Sequence, residues 1–254
     1  MINKSLNLFN YTFIFLFFPS FVTGVFLPNL IYGVFICVNI IFNFQKLKKL
    51  FLKYSIPSYS FIYFYILIVI SSILSNHPIH SLKSSALYFT YLIYCLSLII
   101  LFLEKEKYRK LFFLCGVLTC LILCIDAFYE MVNGSNILGF NSVDGRVAGL
   151  FGSRWLLGRY LIYILPVLVG MYFLEKNKLD NFKNLFFITV IFASIIIIFS
   201  GERAAFLMFF IYLFLILIFF LNKVSKFKIL QFLIIIIFLI GLPFLFSETS
   251  ERLK

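Results

Sequence analysis

Four arginines stand where their surroundings could do chemistry. Arg146, Arg154 and Arg159 fall within Gly145-Arg146-Val147-Ala148-Gly149-Leu150-Phe151-Gly152-Ser153-Arg154-Trp155-Leu156-Leu157-Gly158-Arg159, and Arg203 falls within Ser200-Gly201-Glu202-Arg203-Ala204-Ala205. A guanidinium is a planar fork that grips phosphate or carboxylate through two parallel hydrogen bonds. Glycines beside it let the backbone approach a ligand closely and turn through left-handed conformations. The first segment leads straight into an apolar run, whose start would offer unpaired amides and the positive end of a helix dipole. Cations at that end are ordinarily unfavourable, so their presence makes sense if an anion sits among them. Arg154 and Arg159 could instead snorkel to lipid headgroups beside Trp155. Arg203 could instead pair locally with Glu202. Asp126 and Glu130 are four apart and share one helix face; they could hold sugar hydroxyls, orient an arginine, or end a helix at an interface.

The elements that must position these side chains are membrane spans. Of 254 residues, 63% are apolar and only 13% charged, where soluble domains carry about 45–50% and 25%. So few charges cannot cover a soluble surface, and 37 Phe would leave apolar patches everywhere. A span needs about 20 apolar residues to cross about 30 Å of hydrocarbon. Nine stretches qualify, near 9–27, 29–44, 58–75, 85–103, 111–128, 156–174, 185–199, 204–221 and 229–246. Gly24 and Pro28 mark either a turn between the first two or a kink in one long span. The runs are continuous rather than alternating, which excludes a β-barrel. The expected fold is an all-α polytopic transmembrane bundle forming a single integral membrane domain over 1–254.

Lysine orients it. Lys4, the groups 46–53, 105–110 and 176–183, and Lys223, Lys226 and Lys228 occupy alternate loops, which places the N-terminus in the cytoplasm. The loops at 76–84, 129–155 and 200–203 and the tail after Phe246 then lie outside. The net charge of +12 is mostly this topology signal and argues against nucleic-acid binding. Fourteen of 16 Lys fall inside, whereas Arg146, Arg154, Arg159, Arg203 and Arg252 of the six Arg fall outside. Orientation alone treats the two residue types alike, so an outer face that collects Arg and avoids Lys wants the guanidinium fork itself.

The remaining polar residues support less. His77 and His80 flank Pro78 with no third ligand, so a loop is expected rather than a metal site. The five cysteines, among them Cys120 and Cys124 on one helix face, all lie within spans and read as packing residues. The first apolar run lacks a small-residue cleavage site and reads as a signal anchor. No nucleotide-binding loop, dinucleotide fingerprint, HExxH or GxSxG pattern occurs, and no cofactor is expected.

The stretch Ile125-Asp126-Ala127-Phe128-Tyr129-Glu130, with Gly134, Gly139, the run from Gly145 to Gly152, then Gly158, Tyr160, Leu161 and Pro166, resembles the core of the O-antigen ligase and polymerase family. The turn from Ser200 to Leu207 resembles that family's second signature, a Ser-x-x-Arg followed by small residues. The resemblance covers roughly residues 111–221. It implies a bacterial inner-membrane glycosyltransferase of lipopolysaccharide and polysaccharide biosynthesis, taking glycan from undecaprenyl diphosphate on the periplasmic face without a required metal. The acceptor would be another glycan or lipid A-core. The family's two diphosphate-binding arginines map onto Arg146 and Arg203, with Arg154, Arg159, Asp126, Glu130 and Glu202 expected around the substrate. Guanidinium groups would neutralise the leaving diphosphate, a base would take the acceptor's proton, and a single displacement would invert the anomeric centre. The family also carries a large periplasmic loop, with a catalytic histidine in the ligases, and further spans after the one ending here near Phe246. The sequence stops at Lys254, so a C-terminally truncated relative, lacking that base, is expected. A transporter or flippase for an anionic lipid or polysaccharide, or a non-catalytic fragment, are the alternatives.

Overall fold

The computed structural model describes residues 2–24, 26–141, 146–152, 156–175 and 179–221. Among these residues the protein is all-helical with no β-strand, and six helices are long and apolar enough to cross a bilayer. It is a membrane protein. The helices are α1 (Ile2–Ser20), α2 (Phe26–Lys53), α3 (Ser55–Ile73), α4 (Pro78–Ser85), α5 (Phe89–Glu104), α6 (Glu106–Asn133), α7 (Leu157–Leu174), α8 (Lys183–Phe199) and α9 (Arg203–Leu221). The ninth expected stretch, 229–246, lies outside the described residues, as do Arg154, Trp155 and Arg252.

Where boundaries differ from hydropathy, backbone chemistry explains the difference. Gly24, at φ 113°, separates α1 with its short 3-10 extension from α2, so the first two stretches are two helices rather than one kinked one. Pro28 sits in the first turn of α2, where a missing amide donor costs nothing. The expected loop at 76–84 is largely α4, which Pro78 starts at its first position; a 3-10 turn carries α4 into α5. The lysines at 46–53 ride the end of α2 rather than a loop, because Lys and Leu are both strong helix formers and a helix need not stop where hydrocarbon ends. Likewise α6 begins at Glu106, with an i,i+4 ion pair from Lys110 to Glu106 at 2.9 Å, and runs past residue 128 to Asn133.

The chain divides into two compact units, residues 1–111 and 112–254. In the first, α2 packs on α1 and α5, and α3 packs on α4. Leu47 and Leu50 of α2 form a buried cluster with Leu92, Leu96 and Ile100 of α5, while Phe13 and Phe35 stack at 3.8 Å between centroids. Four of its buried polar side chains are satisfied close by in sequence. Asn39 donates to Phe35 O, Asn43 to Asn39 Oδ1, Ser72 to Ile68 O and Ser97 to Ile93 O.

In the second unit, α6 buries Phe113, Val117, Cys120, Leu123, Cys124 and Ala127. The i,i+3/i+4 spacing of these residues makes one continuous apolar face. α7 packs on α8 and α9, with the Tyr172 and Phe186 rings stacked 4.7 Å apart. The ends of these helices carry the polar residues of interest.

Candidate functional site

The site is built by carboxylates that hold backbone. Gly134, in left-handed conformation (φ 76°), stops α6, and its amide donates to Glu130 O at 2.8 Å. The chain then makes a tight reversal in which Ser135 bridges Asn141, Asn136 N donates to Phe140 O, and Gly139 N donates to Asn136 O. Asn136, almost wholly buried, closes the reversal by accepting from Phe140 N at 2.9 Å and reaches onward to donate to Gly149 O at 2.7 Å.

Asp126 and Glu130 lie one turn apart on the buried face of α6. Asp126 Oδ1 accepts from Ile137 N at 3.0 Å, at the outgoing side of the loop. Glu130 accepts from Ala148 N at 3.2 Å and Gly149 N at 2.6 Å, at the returning side. Two carboxylates thus bind the loop at both ends, and charge-assisted bonds to amides are among the stronger hydrogen bonds. Gly149 has φ 57°, and a Cβ built there would lie 3.3 Å from Asp126 Oδ2. Only glycine satisfies both the torsion and the gap. Oδ2 itself is buried and accepts no hydrogen bond from the described residues.

The second turn connects α8 and α9. Ser200 Oγ donates to Ile197 O, Gly201 takes φ 67°, and Phe206 N donates to Glu202 O as α9 begins. The Glu202 side chain reaches across to the start of α7. Its Oε1 accepts from Gly158 N and its Oε2 from Arg159 Nε, both at 2.9 Å. Leu156, the N-cap residue of α7, offers no side-chain cap. Glu202 fills that role from another element, placing negative charge at a helix N-terminus as the dipole favours. The anion expected among the arginines at the start of α7 is, for Arg159, the protein's own carboxylate. The Arg159 side chain remains 53% exposed. The join is close: a Cβ on Gly158 would lie 2.5 Å from Ser200 Oγ and 3.2 Å from Ala205 Cβ.

The two turns meet at Gly201. A Cβ built on it would stand 3.5 Å from Arg146 Cγ and 3.9 Å from Arg146 Nε, so the Arg146 side chain lies against this glycine. Arg203, exposed, follows two residues later as the first residue of α9. Arg146, Arg159, Glu202 and Arg203 are therefore gathered around one turn, although up to 57 positions separate the first from the last. His77 and His80 are exposed residues at the start of α4 in the first unit. Among the described residues, no group of three His, Cys, Asp or Glu side chains could hold a metal ion.

The sequence alone passes over one member of this arrangement and gives another only a motif. Nothing in the sequence sets Asn136 apart from Asn133 or Asn141; burial and its bond to Gly149 do. Ser200 stands in the sequence as the start of the Ser-x-x-Arg turn, and its approach to Gly158 adds a packing role that the motif does not show. Comparison with protein-family models, with curated proteins and with solved structures finds no match to this chain.

Proposed function

We propose that this membrane protein acts on a glycan linked to undecaprenyl diphosphate, in the manner of the O-antigen ligase and polymerase family, with Arg146 and Arg203 binding the diphosphate. The observation that carries the reading is the seat of Arg146 against Gly201, two residues from Arg203. Two forks from different loops beside one turn suit a ligand with two phosphates, and their preorganised charge would stabilise a departing diphosphate. The carboxylates have a supporting part. Glu130 and Glu202 hold backbone amides that fix the arginine-bearing segments, so they act as positioning residues rather than as sugar ligands. A cavity of about 400 Å³ between α7, α8 and α9, walled by Ile162, Leu165, Pro166 and Phe209, offers room for part of a lipid tail.

This reading includes the finer topology: about nine spans, a cytoplasmic N-terminus and an outer, periplasmic site in the inner membrane. Reporters fused after residue 180 and near residue 140 should report cytoplasm and periplasm respectively; the same side for both would overturn it. The ligand is tested by binding of an undecaprenyl-diphosphate oligosaccharide to the purified chain. Loss of a charge-assisted contact is worth about 1.5–3 kcal/mol, so Arg146→Ala and Arg203→Ala should each weaken binding roughly ten- to a hundredfold. Lysine should restore little, since it keeps charge but loses the fork. Unchanged binding in both variants would remove the proposal. Movement of the lipid-linked glycan across vesicles, with no transfer to an acceptor, would reassign the same arginines to a flippase.

A further inference from the structure

The first unit carries a groove that the glycan reading does not use. Ile40, Phe44, Leu47 and Phe51 recur at i+3 and i+4 along one face of α2, and Ile93 and Leu96 of α5 form the opposite wall. Together they enclose about 440 Å³. Leu47 and Leu96 are buried and make the floor, whereas Phe44 is 61% exposed and stands as an open side. Asn43, whose backbone (φ −125°, ψ 19°) leaves the helical region, bends α2 within the length of the groove.

One charged side chain lines it, that of Lys48. Lys46, Lys49 and Lys53 are exposed on the same last turns of α2, and neither α2 nor α5 before its last residue, Glu104, carries an acidic side chain. The groove runs from Ile40 to Leu52, about 18 Å of helix at 1.5 Å per residue. That is close to one leaflet, half of a hydrocarbon core about 30 Å thick. An apolar channel one leaflet long, with four lysines on the last turns of α2 at one end, matches an anionic lipid in shape and charge.

We infer that the α2–α5 groove binds an anionic phospholipid, one acyl chain lying between Ile40 and Leu96 and the phosphate meeting Lys48 and Lys49. Juxtamembrane lysines each add about 1 kcal/mol of attraction to anionic headgroups, which is about fivefold in affinity. The inference is independent of any glycan substrate.

The test is native mass spectrometry of the full chain released from neutral detergent and titrated with phosphatidylglycerol or with phosphatidylcholine of the same chains. Phosphatidylglycerol should bind at least fivefold more tightly. Lys48→Gln should reduce that preference about fivefold, and Lys48→Gln with Lys49→Gln should abolish it while both variants keep the wild-type melting temperature. A phosphatidylglycerol bearing a photoreactive acyl chain should label the peptides containing residues 40–52 and 93–96. Equal binding of the two lipids would overturn the proposal, as would labelling spread evenly over all helices. So would competition by glycerophosphoglycerol without tails, which marks a free phosphate site, or a dimer in which Phe44 is protected by a second copy.

Discussion

Several buried polar groups of the first unit and the buried carboxylates of the second are held in different ways. In the first, Asn39, Ser72 and Ser97 turn back on their own helices, bonding to a carbonyl four residues earlier. Such bonds satisfy a side chain in lipid but join nothing that the helix had not already joined. In the second, Asp126, Glu130 and Glu202 reach amides 11, 18 and 44 residues away. These bonds fix loops that have no regular structure of their own. A buried polar residue can serve its own helix or long-range order, and the carboxylates around the arginines serve the second.

That contrast breaks most readily at Glu130. Glu130→Ala leaves the amides of Ala148 and Gly149 buried without an acceptor, a cost of about 1–3 kcal/mol for each. Melting followed through the buried thiols Cys115, Cys120 and Cys124, in a background with Cys37 and Cys95 replaced by Ser, should fall clearly, and binding through Arg146 should fall with it. Gly158→Ala comes next. Its Cβ meets Ser200 Oγ at 2.5 Å, so we expect a loss of about 1–3 kcal/mol, typical of overpacking. Adding Ser200→Ala removes that oxygen and should recover part of the loss. A double-mutant cycle with no coupling between positions 158 and 200 would show that the join is looser than described.

Glu202→Gln should cost less. The amide oxygen can still cap Gly158, while the ion pair to the half-exposed Arg159 contributes no more than about 1 kcal/mol after solvent screening. Its melting difference from wild type should shrink as salt is raised. Ser97→Ala in the first unit should change melting by less than about 0.5 kcal/mol, because the carbonyl of Ile93 is a helix acceptor whether or not a hydroxyl shares it. A large effect there would erase the distinction between the units.

Much of this was legible from residue order, though unevenly. The spacing of Asp126 and Glu130 places both on one face of α6, which the helix bears out, but their partners are backbone amides that carry no signature in any sequence. Glu202 and Arg203 are neighbours and invite pairing with each other. In the structure Glu202 pairs with Arg159, 43 residues earlier. Lysines at 46–53 look like a loop to a hydropathy reading, because hydropathy marks where lipid ends and not where hydrogen bonding ends.

What the sequence determined by itself is the solvent and the element type. With 63% apolar residues in long continuous runs, lipid leaves the backbone no partner except itself, and the helix satisfies every amide locally. Tertiary structure alone decided which loops meet. Glu130 could accept from any amide its carboxylate can reach, and Gly158 could stand against any small neighbour. Only the packing of α7 with α8 and α9 brings Ser200 to Gly158, and only the reversal after Gly134 returns Ala148 and Gly149 to Glu130. Those contacts join positions far apart in the chain, and their free energy depends on distances that residue order does not contain.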